Sequence, residues 1–236
     1  MQLSTELKQG TKESHNAAEN GKFIAGFLRG VLDEEQYKKL LGNFYYIYSA
    51  MELRFDKLKD DPVLGDLYFP ELHRKKALEK DLKYYYGPTW REHICPSPAT
   101  QQYVHRIEEA PVLALIGHHY TRYLGDLSGG QILKGIAKKA LNPPEGEGLN
   151  FYEFDDIPDA KEFKTCYRKT LDNLQISKYS GGMNPHVSAV NGIVTEANYA
   201  FRLNMYMFEE FEGSVTQSIF KVICATIKGT PLFSGK

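Results

Sequence analysis

Apolar residues recur at three- and four-residue steps along almost the whole chain, the spacing of helices that bury one face. Tyr37, Leu40, Leu41, Phe44, Tyr45, Tyr48, Met51 and Phe55 form the longest such run, entered through Asp33 with Gln36 three residues on, a variant of the capping box. Ser4 is placed to cap a first helix and Gly21 to end it. Pro70 suits the first turn of a helix carrying Leu72, Leu78, Leu82 and Tyr85 and stopping at Gly87. Ser97-Pro98 starts another that runs toward Ala110, and Pro111 restarts or kinks it. A glycine-interrupted pattern covers Val112 to Leu141, and Asn142-Pro143-Pro144 ends it. Asp159 with Glu162 opens a helix to about Leu174; two more follow, near 190–211 and 214–228, separated by Gly213. There is no alternating strand pattern, repeat or linker. The pattern predicts an all-α single domain of about eight helices spanning 1–236, with its core at about 4–213 and a short C-terminal helix and tail over 214–236.

Composition narrows the function classes. With 29 Lys plus Arg against 30 Asp plus Glu, the net charge is −1, which argues against a protein that coats nucleic acid. The three cysteines, Cys95, Cys166 and Cys224, are far apart and form no C-x-x-C, so neither a disulfide framework nor a structural zinc site is expected. No run reaches a membrane span; the most apolar stretch, Val215 to Ile227, is interrupted by Gln217 and Lys221. The first residues have neither a signal core nor a transit composition. The 16 Tyr and 13 Phe hint at a wide interior to fill.

Candidate chemistry sits in two places. Lys8, Lys12, His15 and Glu19 fall at i, i+4, i+7 and i+11, within an arc of roughly 40° on one helix. The bland reading is a solvated face of i,i+4 pairs. The sharper one is a metal-ligating imidazole whose second ring nitrogen is held by Glu19, with two cations suited to an anionic group beside the metal. On this stripe alone the two stand level. The second place is Tyr120-Thr-Arg-Tyr-Leu-Gly125-Asp126-Leu-Ser128-Gly129-Gly130-Gln131. Three glycines in a helical pattern cost about 1 kcal/mol each relative to Ala. Close helix–helix packing would justify them, but their clustering around an aspartate favours a flat ligand lying on the backbone. Arg122 and Asp126, four apart, can pair beside it. Lys164 and Arg168 form an i,i+4 pair that is ordinarily solvated surface, and Phe201, Asn204 and Phe208 share a face that is ordinarily core. His118 and His119 point about 100° apart and cannot chelate one metal together.

The segment Thr11-Lys12-Glu13-Ser14-His15-Asn16-Ala17-Ala18-Glu19-Asn20, together with the glycine run, closely resembles the biliverdin-producing heme oxygenases. The similarity spans Leu7 to about Gly213, and Tyr68-Phe-Pro-Glu-Leu72 with Phe151-Tyr-Glu-Phe154 is most similar to the soluble cyanobacterial and algal-plastid branch.

That resemblance implies heme b as both cofactor and substrate, with His15 as the iron ligand and Glu19 as its partner. It implies Lys8, Lys12, Tyr120, Lys164 and Arg168 around the propionates, and Gly125, Gly129 and Gly130 in a bent distal helix lying over the macrocycle. Asp126 and Arg122 would hold a distal water network, with Tyr48, Phe201 and Asn204 as further contacts or members of that network. The implied reaction takes dioxygen and electrons from reduced ferredoxin to biliverdin IXα, carbon monoxide and ferrous iron. A downstream bilin reductase is an implied partner. A monomer in a cyanobacterial cytoplasm or algal plastid stroma is expected, with no membrane anchor and no nucleic acid.

Two departures accompany the match: the loop Ser177 to Ser188 reads as longer than in relatives, exposed and mobile, and His119 stands where a small residue is expected. A heme carrier without turnover would need His15 but not Asp126. A thiaminase-like enzyme would need a cysteine inside the bundle, and Cys166 points away from the Lys164/Arg168 stripe.

Overall fold

The computed structural model describes residues 2–211. Among them there is no strand, and ten α-helices rather than about eight. Seven of the expected helices fall within the described residues; two of them are subdivided, and a short helix at Lys22–Leu28, which the pattern does not predict, makes the tenth. The terminal helix expected at 214–228 lies outside the described residues.

The N-terminal helix is split at Thr11 into α1 (Leu3–Gly10) and α2 (Lys12–Asn20). Thr11 turns its hydroxyl back to the Leu7 carbonyl at 2.7 Å, a bond that competes with the helix backbone. Gly21 ends α2 as expected, and α3 (Lys22–Leu28) follows at once. Ser4 does not cap α1, which already begins at Leu3. Its N–H and hydroxyl instead donate to the Asp172 carboxylate at 2.8 and 2.9 Å, so the cap is supplied from far along the chain.

The long helix is α4 (Glu34–Lys57), with Asp33 accepting from the Gln36 N–H as its cap. Its apolar stripe is buried as predicted, apart from half-buried Tyr45. α5 (Lys75–Tyr86) starts later than Pro70 suggested, because Pro70–Leu72 is only a 3₁₀ turn. The reason is Glu52 of α4, whose carboxylate accepts from the Arg74 and Lys75 N–H groups at 2.5 and 3.0 Å and fixes the helix start there. Gly87 closes α5 with a φ of 80°, a conformation that favours glycine.

Burial pushes the Glu52 carboxyl up to about 7, against the pull of those N–H groups and of Arg74. His73 lies 3.9 Å from its other oxygen. The folded state therefore holds a proton that the unfolded chain releases above about pH 4.5, and stability falls as pH rises from there to about 7. Glu52→Gln, which keeps the accepting oxygen, is expected to remove on the order of 2–3 kcal/mol of that fall. Thermal melts of both proteins from pH 4.5 to 8 check this. Asp81, raised by burial to about 6, leaves a smaller residual slope. An unchanged slope would refute the assignment to Glu52.

α6 (Pro98–Glu109) begins at the Ser97 cap with Pro98 in its first turn. α7 (Ala114–His119), a widened stretch at Tyr120–Leu124 and α8 (Gly129–Leu141) make up the glycine-interrupted pattern. α9 (Ala160–Asn173) opens at Asp159, as expected. α10 (Pro185–Glu209) starts well before residue 190, with Pro185 in its first turn. The loop expected over 177–188 is correspondingly short: Ile176–Tyr179 is a 3₁₀ turn and only Ser180–Asn184 remains, with Met183 98% exposed at its tip. Tyr179 anchors that edge by donating to Asp61 at 2.6 Å.

The core lies between the two long helices. α4 packs against α5 and α6, while α10 packs against α6, α7, α1 and α2. Gly117 allows the α7–α10 approach, since a Cβ there would stand 2.7 Å from the Ala197 nitrogen and 2.9 Å from the Ile193 carbonyl. No helix among the described residues is long and apolar enough to cross a membrane.

Candidate active site

The middle of α10 joins the two places singled out in the sequence. Its Phe201 ring meets the His15 ring edge-on at 5.8 Å, and Asn204, one turn later, accepts from Arg122 at 2.7 Å. One stretch of helix thus holds the histidine stripe and the glycine run beside each other.

On the first side, His15 and Glu19 of α2 stand exposed, with Nδ1 3.6 Å from the Glu19 carboxylate. That arrangement directs Nε2 away from the carboxylate, the orientation a metal-ligating histidine needs. Lys8 and Lys12 are exposed on the same stripe. A small apolar recess lined by Ala18, Gly21, Phe23, Met205 and Phe208 lies just beyond.

On the other side, Arg122 and Asp126 are buried as an i,i+4 pair 3.4 Å apart. The pair is the centre of a larger network. Arg122 Nε donates to the Tyr48 hydroxyl at 2.9 Å, and Tyr48 donates in turn to Asp126. The guanidinium also lies over the Phe44 ring at 4.5 Å. Asn204 donates to the Ala200 carbonyl at 2.8 Å and to the Tyr103 hydroxyl at 3.4 Å. Burial raises the Asp126 carboxyl from its ordinary value, while the charges of Arg122 and Arg74 and the Tyr48 bond oppose the rise. Burial likewise drives the Tyr48 phenol well up. A buried carboxyl group raised in this way and held by Tyr48 and Arg122 is of the kind that can exchange protons.

The glycines divide into two kinds. Gly125 and Gly129 are exposed, and a Cβ on either would meet nothing within 4 Å among the described residues. Close helix packing therefore does not explain them; they leave bare backbone beside Asp126. Gly130 is different: it is buried, and its Cβ position is 3.6 Å from the Tyr152 ring. Gly125 and Gly129 do not share a face by simple helical spacing either, because the chain turns at Leu127 and at Ser128, which has φ −119° and ψ −85°. The widened turns at Tyr120–Leu124 and this break give the segment its bend.

α9 closes a third side. Lys164 Nζ donates to the Leu127 carbonyl and to Ser128 Oγ, each at 3.3 Å, and Arg168 is exposed one turn on. Half-buried Tyr120 stands among Thr11, Arg168 and the bent segment; burial pushes its phenol up, against Thr11 and the Arg168 charge. Exposed cations thus stand on α1 (Lys8), α2 (Lys12) and α9 (Arg168), with an exposed imidazole on α2 and exposed glycine backbone at Gly125 and Gly129. These residues fit a flat, dianionic, iron-bearing macrocycle: one axial nitrogen, open backbone on the other face and lysines at the edge.

Reasoning from the sequence missed Tyr103, Phe44, Arg74 and the ion pair of Glu196 with Arg106. Arg106 grips that carboxylate at 2.7 and 2.5 Å, and His118 lies 2.9 Å from it, tying α6, α7 and α10 together. All but Arg74, which precedes α5, sit on helices, and nothing local marks any of them. Cys95 and Cys166 are both exposed, so among the described residues no cysteine lies inside the bundle as a thiaminase-like site requires.

A profile of the heme oxygenase family matches residues 1–210. Heme oxygenase 1 of Nostoc is 48% identical over 95% of this chain and 92% of its own length. Heme oxygenase of the red alga Porphyra purpurea is 47% identical over 96% of this chain and 93% of its own. The crystal structure of heme oxygenase-1 from Synechocystis in complex with heme superposes with a TM-score of 0.88 at 47% identity, covering 96% of this chain and all of that one. With the bent glycine segment, the buried carboxylate and this similarity over nearly its full length, the chain belongs to the heme oxygenase family.

Proposed function

We propose that the protein degrades heme to biliverdin IXα with release of carbon monoxide and ferrous iron, using dioxygen and electrons from reduced ferredoxin. When bound, heme supplies both the iron that activates dioxygen and the ring that is opened. His15 would hold the iron through Nε2, with Glu19 orienting the imidazole through Nδ1. Lys8, Lys12, Lys164 and Arg168 receive the propionates and Tyr120 lines that edge, so the macrocycle has one preferred seating. The bare backbone at Gly125 and Gly129 would let the bent segment lie close to the macrocycle, a contact that would favour one edge for attack, in keeping with an IXα product. Asp126, held by Tyr48 and Arg122 and backed by Asn204, carries protons to the distal side through water.

The observation that carries this reading over a heme carrier is the buried Tyr48–Asp126–Arg122 network beside the bare glycines. A carrier needs the ligand and the cationic rim, but gains nothing from burying a carboxylate there. On this reading 1–236 is one domain acting as a monomer in a cyanobacterial cytoplasm or an algal plastid stroma, and a bilin reductase takes its product.

An absorbance time course of the protein with one equivalent of hemin, before and after adding ferredoxin, its reductase and NADPH in air, tests the proposal. A Soret complex that decays as a biliverdin band grows is expected. A complex that persists under reductant would establish the carrier instead.

Gly125→Leu gives a separate check on the glycine backbone. With nothing within 4 Å to collide with and a better helix former in place, the apoprotein should melt no lower than the parent. Hemin affinity should fall about tenfold or more, the cost of overfilling a close contact. Unchanged affinity in a titration would mean that heme does not lie on this segment.

A further inference from the structure

His119 is the residue that neither the family resemblance nor the distal network explains. It is 2% exposed and shares a 2.7 Å hydrogen bond, through Nδ1, with the hydroxyl of Tyr167 on α9. The two rings are nearly parallel, at 6° and 5.5 Å between centroids. Phe55 and Tyr123 pack against the imidazole at 4.5 and 4.6 Å, and Phe69 against Tyr167 at 5.8 Å. Burial, with His73 nearby, pushes His119 down to about 3, so the contact is between neutral groups and is not weakened by salt.

His119 ends α7 immediately before the widened stretch Tyr120–Leu124, and Lys164, one turn before Tyr167, donates to Leu127 and Ser128, three and four residues past its end. Helix α9 therefore grips the bent segment on both sides of its irregular turns. Widened turns lack the regular i→i+4 ladder, so their geometry depends on what is fastened at either end.

We propose that the His119–Tyr167 pair is a latch that fixes the α9 cations relative to the distal backbone, making His119 a positioning residue that sets how heme is seated. The inference rests on the heme reading above. A nearly symmetric macrocycle can enter in two orientations, and the choice depends on where its anionic edge is clamped relative to the backbone over its face. Loosening the latch lets Lys164 and Arg168 shift against Gly125 and Gly129 without touching the iron ligand or Asp126.

His119→Phe and Tyr167→Phe keep a ring at each position and remove only the hydrogen bond. The measurement is the ratio of the two seating orientations, read from heme methyl resonances in the proton NMR spectrum of the cyanide-bound ferric complex. Each variant should change that ratio about threefold or more, and the double variant should go no further than the larger single effect, because both remove one shared bond. A ratio equal to the parent's in a folded variant, even one with a lower melting temperature, would overturn the proposal. Tyr167→Phe deletes a single oxygen atom and keeps the test available if His119→Phe does not fold. Failure of the parent itself to form a Soret complex would count against the heme reading, not against the latch.

Discussion

Asp126→Ala should bind hemin nearly as well as the parent and yet lose turnover by about a hundredfold or more, the contribution of a positioned proton-transfer group. Asp126 accepts from Tyr48 and pairs with Arg122, and all three side chains are buried. Without the carboxylate, the Arg122 charge keeps, among the described residues, only Tyr48 and Asn204 as close side-chain hydrogen-bond partners. Breaking a buried pair in this way costs about 3–5 kcal/mol, so the variant should also melt several degrees lower. Asp126→Asn separates the two effects: it retains hydrogen bonding and most of the stability, but cannot pass a proton as a carboxyl group does. Single-turnover decay of the Soret band after reduction, measured for parent and both variants, decides the matter. An Asp126→Ala protein that formed biliverdin at the parent's rate would remove this residue from the mechanism.

The second large effect is expected at His15, and it has the opposite profile. The side chain is 55% exposed, meeting Phe201 edge-on and standing near Glu19, so His15→Ala should leave the apoprotein's melting temperature within a degree or two of the parent's. Heme binding is where the loss falls. With no axial nitrogen, the Soret band should move and the affinity drop by tenfold or more, and turnover should cease. Added imidazole, which can occupy the vacated space, should restore the parent's spectrum. Glu19→Gln should act more mildly, weakening the orientation of the ring rather than removing the ligand. A parent-like complex in His15→Ala without imidazole would refute the assignment.

Legibility of the molecule in its sequence follows the distance along the chain over which each feature acts. Asp33, Ser97 and Asp159 were identified as caps because a cap and the N–H groups it receives lie within three residues. The α4 stripe was readable because helical geometry alone brings its members to one face. For the same reason His15–Glu19 and Arg122–Asp126, each four apart, were recognisable as pairs before any tertiary contact was known. The glycine run signalled that something lies on or presses against the backbone, but local spacing left helix packing and a flat ligand both open. The surroundings separate them: Gly130 lies against Tyr152, while Gly125 and Gly129 meet nothing.

Where the local reading went astray, a distant residue supplied what the chain nearby does not. Ser4 looked like a cap, yet Asp172 receives it; Pro70 looked like a helix start, yet Glu52 places the start at Lys75. The loop over 177–188 shortened because Pro185 begins α10 early and Tyr179 is held by Asp61.

An all-helical chain, the caps at Asp33, Ser97 and Asp159, the iron-ligand candidate and the Arg122–Asp126 pair are legible in the sequence alone, through contacts spanning one helical turn or through a motif specific to one family. Only the tertiary structure decided that Tyr48 and Asn204 complete the Asp126 network, that Gly125 and Gly129 face open space, and that His119 fastens α9 to the distal segment. Those contacts join residues 48 to 82 positions apart. They depend on how helices pack, and no periodicity within a single helix encodes which face of another helix it will meet.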